Sequence, residues 1–168
     1  MSAEEKLTTE TNSFSETNER YLIFEISGSL YGTPLLSVRE VIEQQDIKPV
    51  PYAPSYFIGI MNLRGKVVSV IDLRKKFKVD ETSERDNTYI MILDLDDTSI
   101  GVMIDKVISV QELNVDDVSF LPTVDANIDS DYLIGASRFN DKLITLVELS
   151  KLISKEEVDK FRKWGMGQ

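Results

Sequence analysis

This 168-residue chain contains no histidine and no cysteine, so carboxylates, hydroxyls, lysine and arginine are the groups left to do chemistry. Without histidine, the usual general base and the commonest zinc or iron ligand are gone. Without cysteine, disulfides, thiolate metal sites and cysteine nucleophiles are excluded. Two acidic clusters remain. Asp125-Ala-Asn-Ile-Asp-Ser-Asp131 sets oxygen ligands at alternate positions, as a calcium loop does. Such a loop needs Gly at its sixth place and Glu at its twelfth. Ser130 and Ala136 stand there, so the segment reads as a solvated acidic loop. Asp94-Leu-Asp-Asp97 falls where a hairpin turn is expected, and Asp suits turns because its side chain bonds to nearby backbone. Gly28 and Gly32 form no phosphate loop, since no helix start follows at the right spacing and no Gly-Lys-Ser/Thr is present. On the enzymatic side this leaves a carboxylate-dependent hydrolase working through Asp96 or Asp129.

Arg64 is the residue with more to offer. In Leu63-Arg64-Gly65-Lys66 the glycine suits a tight turn, which puts Arg64 at an exposed hairpin corner. The surrounding module, Gly59–Phe77, is an Arg-Gly turn between two apolar strands followed by a short amphipathic helix. It recurs without gaps as Gly135–Ile153, where the turn is Phe139-Asn140-Asp141-Lys142. The second copy makes its hairpin without arginine, so the fold does not require Arg64. An exposed arginine beside Asn62 and an apolar strand is a sensible anchor for a protein interface.

The duplication extends upstream. Tyr89–Leu95 matches Tyr21–Ser27 in pattern, Gly101 matches Gly32, Val107 matches Val38 and Val110 matches Val41, after one inserted residue in the turn. The order hairpin, strand, irregular link, hairpin and helix therefore appears twice, as an internal repeat. Each half carries about five short strands, suited to a small barrel that limits exposed edges. The expected domains are a disordered polar tail at 1–18, a first barrel over about 19–80 and a second over about 86–153, the two packed together. Glu81 to Asn87 reads as a polar connector, and the proline cluster Pro49, Pro51 and Pro54 as irregular. A helix over 154–164 starts at the capping box Ser154-Lys-Glu-Glu157 and docks through Val158, Phe161 and Trp164.

Formal charge is 19 minus 29, or −10, which argues against nucleic acid and anionic membrane surfaces and favours a basic protein partner. The first residues show no signal-like apolar run, and no stretch approaches the ~20 apolar residues of a membrane span. A cytosolic protein without membrane insertion is expected.

The run from Gly59 to Arg74, Gly-Ile-Met-Asn-Leu-Arg-Gly-Lys-Val-Val-Ser-Val-Ile-Asp-Leu-Arg, resembles the signature of the CheW family of bacterial chemotaxis coupling proteins. Tyr31-Gly32, Val38-Arg39-Glu40-Val41, Gly101-Val-Met-Ile-Asp105 with Val107, and Leu133-Ile-Gly135 add to it, in the family's order over about residues 19–153. Ser69 departs from the pattern, where the family often has proline. The resemblance implies a mainly β fold of two SH3-like five-stranded barrels, no catalysis and no cofactor. It implies an adaptor in cytoplasmic signalling arrays, bridging chemoreceptor tips and the regulatory domain of a CheA-type histidine kinase. A relative serving twitching, gliding or development falls in the same class. By the same resemblance the partner-facing residues are Leu35, Val38, Glu40, Gly59, Asn62, Arg64 and Val110, with Arg64 and Glu40 as charged contacts and Leu35, Val38 and Val110 as the apolar patch.

Overall fold

A computed structural model describes residues 18–79, 88–95, 97–119 and 132–166, with side chains as far as Lys163. The tail, the 81–87 connector, Asp96 and the Asp125–Asp131 loop lie outside the described residues. Ten strands carry the chain: β1 (Asn18–Ile26), β2 (Ser29–Pro34), β3 (Val38–Glu43), β4 (Phe57–Leu63), β5 (Lys66–Asp72), β6 (Tyr89–Leu95), β7 (Thr98–Ile104), β8 (Lys106–Asn114), β9 (Leu133–Phe139) and β10 (Lys142–Val147). Helix α1 (Leu73–Phe77) follows β5, and α2 (Lys155–Met166) ends the described chain.

The strands form two five-stranded sheets, in the orders β8-β1-β2-β10-β9 and β3-β6-β7-β5-β4. These are the two SH3-like barrels, but they are not the two halves of the sequence. Each barrel takes its first hairpin from one repeat and its other three strands from the other. The expected boundaries of 19–80 and 86–153 are therefore corrected: hairpin β1–β2 belongs with β8, β9 and β10, and hairpin β6–β7 with β3, β4 and β5. Alternating apolar residues specify which faces are buried, not which repeat supplies the neighbouring strand.

The repeat register is also simpler than the pattern suggested. Hairpin β1–β2 closes on the pair Ile26 and Ser29, and β6–β7 on Leu95 and Thr98, so no residue is inserted. Tyr89 thus aligns with Arg20 rather than Tyr21. Both faces of β1 and β6 are largely buried, which erases the alternation that would have fixed the alignment. The parallel pairings agree, with Leu146 opposite Gly32 in one barrel and Val70 opposite Gly101 in the other.

Three apolar clusters follow from this topology. Tyr21, Ile23, Ile144 and Leu146 fill one barrel, and Met61, Leu63, Val68, Val70, Ile90 and Ile92 the other. The largest cluster draws on both sheets, including Leu22, Phe24, Phe57, Ile71, Phe77, Leu93, Val102 and Phe161. The barrels are thus held by a shared core, in which Tyr31 lies 5.2 Å from Phe77 and Phe57 lies 5.1 Å from Phe161, ring centre to ring centre. Helix α2 docks here through buried Val158 and Phe161. Its Ser154 cap accepts from the Glu157 N–H at 3.2 Å. The Glu157 carboxylate does not reach back to the Ser154 backbone; it accepts from Tyr56, Lys76 and the Ser154 hydroxyl.

The two modules end differently. Asp72 caps α1 by accepting from the Arg74 N–H at 3.0 Å. Glu148, one methylene longer, makes no such cap and accepts instead from the hydroxyls of Ser37 and Ser150, each at 2.7 Å. The second copy accordingly closes in a 3-10 turn, Leu149–Lys151, where a helix was expected.

Candidate functional site

Arg64 sits at the tip of hairpin β4–β5 with its side chain 67% exposed. Both tip residues have positive φ, 49° at Arg64 and 86° at Gly65. That is the two-residue turn whose twist matches a hairpin and which prefers Asn or Asp followed by Gly. The second copy uses Asn140 and Asp141 at 48° and 64°, residues that visit this region readily. Arg64 holds the same conformation against its own steric preference. Asn62 locks the turn by accepting from the Gly65 N–H at 2.9 Å.

The guanidinium does not stand alone. Its Nη2 donates to both carboxylate oxygens of Glu40, at 2.6 and 2.7 Å. Glu40 lies on β3, the strand at the far end of the same sheet order from β4. The pair therefore spans the seam where the sheet curls on itself, beside the bridge between Lys48 and Ile60. An exposed pair of this kind contributes up to about 1 kcal/mol. Its larger effect is to fix the direction of two long charged side chains.

Immediately before Glu40 the chain presents an apolar turn. Leu35 and Val38 are half-buried against the shared core, together with Val41. Leu36, between them, is 98% exposed. Val110 stands on β8 of the other sheet, opposite Leu22 of the shared core and itself exposed. The repeat makes Val107 and Val110 the counterparts of Val38 and Val41. The expected apolar residues are thus two matched pairs on matched strands, each strand lying against the strand that feeds the shared core.

Gly59 is corrected. It is buried, and a Cβ there would lie 2.1 Å from the Lys48 carbonyl oxygen. Gly135 repeats the arrangement, with the Ser119 carbonyl oxygen 2.5 Å away. Both glycines let the irregular link cross the hairpin backbone, and neither offers a contact surface. Asn62 is exposed, with its side-chain oxygen engaged in the turn. Sequence reasoning missed Leu36 and the Arg64–Glu40 pair. Two adjacent leucines before a strand signal the first; the second joins residues 24 apart that only the curled sheet brings together.

The acidic candidates carry less. Asp94 accepts from the Ser99 hydroxyl at 2.9 Å and pairs with Arg39 at 3.4 Å, so it serves its own hairpin and the adjoining strand. Among the described residues no group of three carboxylates converges as a metal site. Asp96 and Asp129 lie outside the described residues.

Two interlocked SH3-like barrels, sharing one core and presenting a charged corner beside exposed aliphatic residues, define a binding scaffold. Comparison with known proteins makes this particular. The family model described as a CheW-like domain matches residues 20–157. The chemotaxis protein CheW of Treponema pallidum is 33% identical over 82% of this chain and 83% of its own length. Protein FrzA of Myxococcus xanthus is 25% identical over 80% of this chain and 85% of its own. The solved scaffolding protein TtCheW from Thermoanaerobacter tengcongensis superposes with a TM-score of 0.74 at 29% identity, covering 81% of this chain and 88% of that one. The chain belongs to the CheW family, whose members are non-catalytic scaffold or adaptor proteins.

Proposed function

We propose that this chain couples the cytoplasmic tips of chemoreceptors to a CheA-type histidine kinase in a membrane-associated array. The observation that carries the reading is Arg64, a residue the fold makes room for but does not need. Asn140 fills the same turn position in the second copy with better backbone chemistry. Arg64 is instead oriented by Glu40 next to Leu35, Leu36 and Val38. A charged pair beside an exposed aliphatic patch suits reversible docking of an amphipathic helical surface. Val110 extends the apolar surface on the second barrel.

Pull-down with the whole chain tests the reading. Recovery of receptors together with a CheA-type kinase, lost on Arg64→Ala without loss of fold, is the expected result. Normal recovery with the variant, or recovery of neither partner by the parent chain, contradicts it. The likeness to FrzA favours a second reading, in which the chain serves a parallel pathway with its own receptor and kinase. The identity of the kinase recovered separates the two.

A further inference from the structure

Each sheet ends in a strand that follows a crossover between the barrels, β3 in one and β8 in the other. The two are counterparts in the repeat, yet they treat their outer edges differently. On β3, Arg39 pairs with Asp94 and Glu40 with Arg64, so both central positions are charged and engaged. Charged side chains of this kind protect an edge strand from pairing with another chain. On β8 the same two positions hold Ile108 and Ser109. The neighbours Val107, Ile108 and Val110 are 36%, 38% and 47% exposed. β8 pairs with β1 on one side and is the terminal strand of its sheet on the other.

The sequence of β8 complements itself. When two antiparallel copies meet across a two-fold axis at Ser109, Lys106 falls opposite Glu112 and Ile108 opposite Val110, twice over. Ser109 falls opposite Ser109. Opposite charges and aliphatic pairs directly across from each other are the contacts that stabilise antiparallel strands. Within the chain Lys106 leans back to Glu25 at 3.4 Å, with its side chain still 57% exposed, and Glu112 faces Arg20 in the β1 register. Ile108 is the bulged residue of the β1–β8 pairing, which frees it from β1.

We infer that the free edge of β8 is a self-association surface, joining two copies of this chain by antiparallel β8–β8 pairing into a symmetric dimer. Because Val110 also belongs to the surface proposed for partners, pairing and partner binding compete on this side of the molecule. The pairing itself rests on β8 alone and not on which partners the chain serves.

The test uses the full chain and its charges. By sedimentation, the mass rises with concentration from 19.1 kDa towards twice that value. Glu112→Lys and Lys106→Glu each set like charges opposite one another in a homodimer, and each weakens self-association by about tenfold or more. Mixed in equal amounts, the two variants restore opposite charges at both positions and regain the dimer. Circular dichroism confirms that each remains folded. As an independent reading, Ser109→Cys, the sole cysteine in the chain, forms a disulfide-linked dimer on oxidation whereas Ser99→Cys does not. A parent chain that stays at 19.1 kDa to millimolar concentration overturns the proposal. So does a dimer untouched by the charge changes, folded variants that fail to pair when mixed, or failure of Ser109→Cys to cross-link. If a dimer forms only after residues 1–17 are removed, the tail and not a second copy occupies the edge, and the proposal also fails.

Discussion

At the scale of single residues, the comparison of Arg64 with Asn140 separates function from architecture. Arg64→Asn removes a charged contact and replaces an unfavourable positive-φ residue with one that tolerates it. The turn gains up to about 1 kcal/mol, offset by loss of an exposed pair worth about the same or less. The expected thermal midpoint therefore stays within a few degrees of the parent, and calorimetry reads it. Gly59→Ala behaves oppositely. A methyl group 2.1 Å from the Lys48 carbonyl oxygen forces the link off the hairpin. A destabilisation of about 1–3 kcal/mol or more is expected in urea titration. Arg64 was legible in the sequence because a second copy lacking it lay 76 positions on. Gly59 was legible as a conserved feature of both modules, but not its reason. The carbonyl that requires it comes from an irregular link with no pattern to read.

Among the elements, α2 has the most exposed means of attachment. Glu157 joins its capping serine to Tyr56 and Lys76 of the barrel, and Lys76 also lies 4.3 Å over the Tyr56 ring. Burial pushes the Glu157 carboxyl up, but hydrogen bonds from Tyr56 and Lys76 outweigh it and hold the carboxyl below its ordinary value of 4.5. A carboxyl depressed by folding stabilises fully above its unfolded value and loses that contribution as pH falls through the folded one. Helix docking is therefore expected to weaken below about pH 4.5, seen as faster amide exchange over 155–163. Glu157→Gln should flatten that response. If parent and variant show the same acid dependence, another group controls it. The helix itself was plain from Ser154, Glu157 and the spacing of Val158 and Phe161. Its partners were not, because Tyr56 and Lys76 lie 101 and 81 residues away.

In the whole molecule, the governing fact is the exchange of hairpins between the two repeats. The chain passes from one barrel to the other at Leu35–Ser37 and again at Asp105. Asp105 is held from both sides: it pairs with buried Arg74 of α1 and accepts from the Ser27 N–H at 2.6 Å. Ser27 belongs to the other barrel's hairpin turn, so this carboxylate fastens the two together. Asp105→Ala leaves Arg74, only 4% exposed, without its counter-charge. A loss of about 3–5 kcal/mol is expected in chemical denaturation, with both barrels unfolding in one transition. Two separate transitions would mean that the shared core does not couple them. The repeat, the strand count and the mainly β class were readable from sequence, since each rests on local pattern. The exchange was not, because equivalent repeats offer equivalent partners and only packing decides between them.

The account centres on Arg64 as a residue kept for partners and not for folding. Co-sedimentation of the chain with chemoreceptor fragments and a CheA-type kinase, comparing the parent with Arg64→Asn, tests this most directly. The expected result is loss of the ternary complex by a variant whose thermal midpoint is unchanged within a few degrees. Undiminished assembly by the folded variant would contradict the account.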